Sequence, residues 1–211
     1  MTGVQTCALP IYFDLAESAM RLAVERFGDP ERGGFFDRAK DAAPMGGLDV
    51  RRKPMQDSPT PGANSVAAIV LDRLYGFTGE RLYHDWAEKT LEAFAGLVPQ
   101  YGLFAATYGL AALLHVRHPL QVVVTGAADD PKSADLVKAA HEIYRFGKAV
   151  LRVTPERLAS GTLPAALRET LPHLDAAAPQ VFVCVETTCY PPVADRNALT
   201  ALLAEIGCGT R

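Results

Sequence analysis

Three short stretches concentrate the residues of this chain that could do chemistry: Gly33-Gly34-Phe35-Phe36-Asp37, then Arg51 to Asp57, then Pro61-Gly62-Ala63-Asn64-Ser65. Asp57 is the candidate catalytic group, a general acid or base whose proton affinity Arg51 or Lys53 would tune by proximity. Asn64 could hydrogen-bond a hydroxyl-rich ligand. Arg51, Lys53, Asn64, Ser65, Phe36 and Asp37 form the candidate substrate-binding set. Glycoside hydrolysis needs a second carboxyl at a defined separation, and Asp37 or Asp49 is the candidate. The competing reading is structural: Asp57, Asn64 and Ser65 cap the following helix, and Arg51 and Lys53 are solvated.

Stepping outward from these residues, the segments that must position them are helices. Residues 12–27 carry Leu15, Ala19, Leu22, Ala23 and Phe27 at helical spacing and stop at Gly28-Asp29-Pro30. A polar, Gly- and Pro-rich passage follows, longer than most connections in a compact domain, and loops of that length are usually functional or disordered. The second helix begins near Asn64-Ser65 and should bury Val66, Ile69, Val70, Leu74 and Phe77. Thr78-Gly79 ends it. A third helix places Tyr83, Trp86, Ala87, Thr90, Leu91, Phe94, Leu97 and Val98 on one stripe, and the tight join makes the two an antiparallel hairpin. A fourth, from Tyr101 to Arg117, is apolar on most sides and is expected to be largely buried.

Beyond Pro119 the texture changes. Val122-Val123-Val124, Val150 to Val153 and Val181 to Val185 are nearly continuous β-branched runs, as in strands covered on both faces. A helix from Pro131 to Phe146 between the first two gives a βαβ unit with a parallel pair, and a helix from Asp195 to Ile206 closes the lobe. The fold class expected is α+β: helical hairpins over 12–118, then a small three-stranded α/β lobe over 119–211.

Composition bounds the functions. The chain has 211 residues, 49% hydrophobic and 21% charged, with a net charge of -3. Charges of both signs are mixed along it, leaving no basic stripe for nucleic acid. No apolar run approaches the roughly 20 residues of a membrane helix, so a membrane is not an expected partner. Residues 1–11 have no helical or alternating pattern and no basic n-region. They resemble a translated sequencing-adapter artefact, which sets Cys7 aside. Four cysteines without a disulfide framework make a reducing, cytoplasmic compartment the default.

The order of these motifs resembles the C-terminal part of thioredoxin-domain-containing proteins of the spermatogenesis-associated family. The matching residues are Gly33 to Asp37, the Arg51, Lys53 and Asp57 spacing, Pro61 to Ser65 followed by Val66-Ala67-Ala68, Thr78-Gly79, Val183-Cys184, Cys189, Pro191-Pro192-Val193 and Asp195. The resemblance implies an N-terminal thioredoxin-like domain, lying outside this chain, and a ring of helical hairpins. Such a partial (α/α) toroid is similar to N-acylglucosamine 2-epimerases and six-hairpin glycosidases. It further implies a carbohydrate-handling parent, with a sugar-like small molecule as ligand and the loop residues bordering a central cavity. Where the family usually reads Pro-Ser-Gly-Asn-Ser, this chain has Pro61-Gly62-Ala63-Asn64-Ser65. A closed ring needs many more helices than the four read here, so the piece alone is expected to be inactive. The alternative is a non-catalytic helical scaffold associated with a thioredoxin-like redox domain.

No cofactor or metal is expected. Cys184 and Cys189 have neither the spacing of a redox Cys-x-x-Cys nor that of a zinc half-site. They read as a buried strand cysteine and a turn cysteine, with a regulatory disulfide as the alternative. His115 and His118 could share a metal but better complement the carbonyls ending a helix. His84, His141 and His173 have no partner in sequence. The turn Thr125 to Asp130 follows a strand, yet it lacks the dinucleotide and Walker patterns, and Asp129-Asp130 would repel phosphate.

Overall fold

The computed structural model of the chain describes residues 5–43, 46, 49–117, 120–159, 177–185 and 188–209, and within these the side chains from Phe13 to Ile206. His118, Pro119 and His173 lie outside the described residues, as do the side chains of Cys7 and Cys208. Two units divide the chain: residues 1–75 with 80–116, and residues 76–79 with 117–211.

The first unit is helical. α1 (Gln5–Phe27) starts well ahead of the expected residue 12, because extending an established helix costs little per residue. Its buried face is only partly the expected one: Ala23 and Phe27 pack on the core together with Met20, Phe13 and Val24, whereas Leu15 and Leu22 are exposed. The reason is Glu17, on that same stripe, which accepts the Tyr83 hydroxyl at 2.6 Å and so can enter the core with its polarity satisfied.

α2 (Ala63–Thr78) departs in part: Leu74 is buried as expected and Ile69, Val70 and Phe77 are half-buried, but Val66 is not. Val66 is 40% exposed, whereas Asn64, Ser65, Ala68, Leu71 and Asp72 are buried. Asn64 and Asp72, both with internal partners, widen the buried face beyond the one the apolar residues alone mark. α3 (Arg81–Ala95) buries Tyr83, Ala87, Thr90, Leu91 and Phe94 as its spacing predicts. Leu97 lies past its end and is exposed.

The expected fourth helix is broken into α4 (Val98–Tyr101), a 3-10 turn (Gly102–Ala105) and α5 (Ala106–His115). It is not largely buried: Leu103 is 90% exposed, and Phe104, Leu110 and Leu113 are exposed too. Packing is one-sided. Ala105 meets Met55 and Phe94, and Ala111 meets Ala68 and Leu91. Tyr108 donates its hydroxyl to the Leu91 carbonyl at 2.7 Å.

In the second unit the strands are β1 (Leu120–Thr125), β2 (Lys148–Val153), β3 (Val181–Val185) and the short β4 (Thr188–Cys189), in the order β2-β1-β3-β4. The βαβ unit forms as expected, with α6 (Pro131–Glu142) between a parallel β1 and β2. β3 pairs with β1 antiparallel, and β4 makes a fourth strand where three were expected. α7 (Pro155–Ala159) follows β2, and α8 (Arg196–Gly209) closes the unit. One core joins Val122, Val124, Leu136, Ala140, Val181, Val183, Leu199 and Leu203; Val123, Leu151, Val153 and Phe182 fill the other face. The sheet is thus covered on both sides. Among the described residues no single helix is long and apolar enough to cross a membrane.

Glycine is required where the loop after α1 meets α3. Gly33 has φ 69°, and a Cβ there would lie 2.1 Å from the Lys89 carbonyl oxygen. Gly96 has right-handed backbone, and a Cβ there would meet nothing within 4 Å. Gly33→Ala should therefore destabilise the helical unit by more than the roughly 1–2 kcal/mol of left-handed backbone alone. Gly96→Ala should be neutral or stabilising by up to about 1 kcal/mol. Denaturant titrations followed by far-UV circular dichroism compare the two.

Candidate functional site

Among the described residues of 28–62, which connect α1 to α2, there is no helix longer than a turn, so their backbone amides and carbonyls need partners from elsewhere. The first part closes on itself. Asp29 Oδ1 accepts the amides of Glu31 and Arg32, and the Asp29 carbonyl accepts that of Gly33 at 2.9 Å. Lys53 reaches back to pair with Asp29 Oδ2 at 2.8 Å and donates to the Gly33 carbonyl. The Lys53 ammonium is the main reason the Asp29 carboxyl lies below the usual aspartate range, with backbone amides adding to it.

Asn64 holds the two extended runs of the loop together. It is 1% exposed, its Oδ1 accepts the Phe35 amide at 2.6 Å, and its Nδ2 donates to the carbonyls of Phe35 at 3.0 Å and Pro54 at 2.7 Å. Gly34 makes room for this: with φ 77°, a Cβ there would press on Asn64 Oδ1 at 3.0 Å. The helix starts at Ala63, so Asn64 sits inside its first turn and reaches across to the loop rather than capping. Ser65 is buried beside it, its hydroxyl without a partner among the described residues. Asp37 is exposed, and its backbone and side chain both bond Arg52, at 2.7 and 2.9 Å. Arg51 donates Nε to the Arg38 carbonyl at 3.0 Å and lays its guanidinium 3.9 Å from the centre of the Phe36 ring. That contact is a cation–π stack. Asp49 pairs with Arg38.

Asp57 joins this loop to the helices. Its Oδ1 accepts the Gly62 amide, immediately before α2, and its Oδ2 accepts the Thr107 amide in the first turn of α5, both at 2.7 Å. Its own amide donates to the Phe104 carbonyl at 2.7 Å. Burial opposes ionisation of Asp57, but the Thr107 and Gly62 amides outweigh it and hold the carboxyl below the usual aspartate value. A carboxylate held ionised by two amides is a good helix cap and a poor proton donor at neutral pH. The candidate residues are thus brought together around one loop, where they bond chiefly to its backbone.

A second polar cluster was not expected from the sequence. His115 Nδ1 lies 2.9 Å from Asp72 Oδ1, both side chains being largely buried. The His84 ring stacks on that of His115 at 4.5 Å, and Tyr75 meets His84 edge-on at 4.9 Å. His115 therefore serves a carboxylate on α2 rather than the carbonyls that end its own helix. Burial raises the Asp72 proton affinity, and the two imidazoles pull it back. Asp72 Oδ2 and His84 Nδ1 are buried without partners among the described residues. The signal available in the sequence was Asp72 itself, four residues after the buried Ala68 and seven after Ser65. His84, Asp85 and Glu88 bring ligand-type atoms within 4.8 Å of one another, but Asp85 and Glu88 are exposed.

In the second unit Asp130 caps α6 with its own carboxylate, accepting the amides of Lys132 and Ser133. The helix N-terminus after β1 is thereby occupied, which adds to the sequence argument against phosphate there. Cys184 and Cys189 are disulfide-bonded, and Cys189 sits on β4 rather than in a turn. Register explains it, since the two residues stand directly opposite each other.

No protein-family model matches the chain. Among curated proteins it is similar to spermatogenesis-associated protein 20 of Homo sapiens, 31% identical over 182 residues. The same-named proteins of Mus musculus and Rattus norvegicus are 29% and 30% identical over 188 and 190 residues. Each match covers 84% of this chain and 22% of the relative, so the chain spans about a fifth of the length of these proteins. These relatives support the family resemblance read from the motifs.

Asp57→Ala should lower the stability of the helical unit by about 1–2 kcal/mol, the usual cost of losing a side-chain cap. Because the folded-state pKa lies below the unfolded one, that contribution is present above the ordinary aspartate value of 3.8 and is lost as pH falls through the depressed value. The difference between wild type and variant in denaturant midpoints should shrink on acidification below about pH 4. His115→Leu should cost about 3 kcal/mol by stranding Asp72 in the interior, and adding Asp72→Leu should recover much of it, as a double-mutant cycle would read.

Proposed function

We propose that this chain is part of a longer protein related to spermatogenesis-associated protein 20, and that it contributes helical scaffold there rather than catalytic groups. Within the parent, α1, α2, α3 and α5 form part of a six-hairpin, glycosidase-like ring, the architecture the motifs imply. The observation that carries the scaffold reading is the occupancy of Asp57, whose two carboxylate oxygens each accept a backbone amide from a helix start. Asn64 and Lys53 are spent likewise, on Phe35, Pro54, Gly33 and Asp29.

Carbohydrate handling, epimerase-like or glycosidase-like, is the second reading and belongs to the parent. One observation favours it: the exposed Asp37 directly follows the half-buried Phe36, on whose ring Arg51 stacks, so an acidic and an aromatic residue are adjacent in the loop. Sugar-binding sites use that combination. A thioredoxin-like domain elsewhere in the parent, on the resemblance, and a cytoplasmic setting, on the cysteine usage of the sequence, complete the proposal.

The test is thermal unfolding of the 211-residue chain with a panel of mono- and amino-sugars at millimolar concentration. The scaffold reading expects no sugar to move the transition, with Asp57→Ala lowering it equally in the presence and absence of ligand. A sugar at 100 times its dissociation constant would add about 2.7 kcal/mol to the folded state. Stabilisation of that size, abolished in Asp57→Ala or Asp37→Ala, would overturn the scaffold reading in favour of a carbohydrate pocket.

A further inference from the structure

We propose that the Cys184–Cys189 disulfide is a thiol-exchange site, opened and closed by small thiols on the folded protein, with Cys189 as the sulfur attacked. The inference is independent of the reading given above for the helical unit.

Three features of the second unit carry it. The first is access. Cys184 lies on β3, inside the sheet between β1 and β4, and is buried, whereas Cys189 is exposed on a two-residue edge strand. Pro191 and Pro192 follow and are exposed too. They have no amide to offer another strand, so they protect this edge from being covered by pairing.

The second feature is redundancy. β3 is held along its length by β1, from Leu120 opposite Val185 to Val124 opposite Val181. On its other side Tyr190 donates its amide to the Val183 carbonyl at 2.9 Å, and Val181 and Val193 exchange both backbone bonds at 2.7 and 3.0 Å. The disulfide closes a segment of only five residues' separation between strands already paired. Cross-linking so short a loop removes little chain entropy from the unfolded state. Opening the bond leaves the sheet and the packing of Val181, Val183, Leu199 and Leu203 in place.

The third feature is return. Val183 and Tyr190 are a backbone-bonded pair, so the next pair along, Cys184 and Cys189, occupies a non-hydrogen-bonded position, where facing side chains stand closest. Their Cα atoms are 4.0 Å apart. Once reduced, the two thiols are kept face to face by the backbone, and reoxidation needs no search.

The exchange balances with a monothiol such as glutathione as reductant. Its thiolate attacks Sγ of Cys189, the Cys184–Cys189 bond breaks, and the electron pair leaves on Cys184, which takes a proton from water. The Cys189 mixed disulfide is then attacked by a second glutathione thiolate at the glutathione sulfur. This releases Cys189 as a thiolate and glutathione disulfide as product. Two glutathione thiols are oxidised, and one protein disulfide is reduced to two thiols. In the reverse direction glutathione disulfide recloses the bond.

The experiment incubates the full chain in native buffers spanning reduced-to-oxidised glutathione ratios and quenches by alkylation. Peptide mass spectrometry then separates Cys184 and Cys189 from Cys7 and Cys208, while circular dichroism follows the fold. Reversible opening with an unchanged spectrum is expected. A Cys184→Ser variant should accumulate the glutathione adduct on Cys189 at least about tenfold faster than Cys189→Ser does on Cys184, since exchange rate follows access to sulfur. A bond that resists millimolar reduced glutathione until denaturant is added, or adducts forming equally on the two sulfurs, would overturn the proposal and leave a structural staple.

Discussion

The helical unit depends on the ionised carboxylate of Asp57. A connection as long as residues 28–62 is held in place only if its backbone groups find partners, and the starts of α2 and α5 each leave amides unpaired. Asp57 meets both needs with two oxygens, one on the Gly62 amide and one on the Thr107 amide, while its own amide takes the Phe104 carbonyl. A neutral side chain of the same size would accept fewer bonds, and the close approach of the chain at this point needs Gly62, where a Cβ would lie 2.1 Å from the Met55 carbonyl oxygen. Charge, reach and the adjacent glycine therefore form one requirement. Asn64 does the equivalent work at the other end of the loop, taking the amide and carbonyl of Phe35 together with the carbonyl of Pro54.

This accounts for how much of the site was legible. The sequence marks the loop clearly, because Gly33, Gly34, Asp57 and Gly62 are turn-forming residues and Asn64 opens the helix that follows. It does not say which reason. A carboxyl group that exchanges a proton with a substrate and a carboxylate that accepts two backbone amides are the same residue at the same spacing, and only the direction of the oxygens separates them. The α/β unit was easier to read, since Val122 to Val124, Val150 to Val153 and Val181 to Val185 each form a β-branched run too short for a helix. The antiparallel placement of β3 was not, because a strand buried on both faces has the same composition in either direction.

The misread helix faces share one physical cause. Reading α1 and α2 by apolar residues alone points Leu15, Leu22 and Val66 inward, and all three are exposed. The true faces also carry Glu17, Asn64 and Asp72, polar groups that enter the core because Tyr83, Phe35, Pro54 and His115 supply their hydrogen-bond partners. A buried polar group is tolerated when paired, and its partner is remote in sequence: Glu17 and Tyr83 are 66 residues apart, Asp72 and His115 are 43 apart. Periodicity is a local signal and cannot carry that information. α5 shows the converse. Its composition asks for burial on most sides, yet Leu103, Phe104, Leu110 and Leu113 remain exposed, since composition records what a helix would bury and not whether a covering element is present.

The two units resolve the same problem by different means. In the helical unit irregular backbone is extensive, so side chains such as Asp57, Asn64 and Lys53 are consumed in holding it, and few of the groups suited to chemistry are left over. In the α/β unit the ladders of β1, β2 and β3 satisfy the backbone, so a side-chain link across β3 and β4 is surplus to the fold. A surplus bond can break without consequence for packing, whereas a consumed carboxylate cannot change state without releasing the helices it ties. Reactivity in this chain is therefore expected where the backbone is already paired, at Cys184 and Cys189, more than where polar residues are densest.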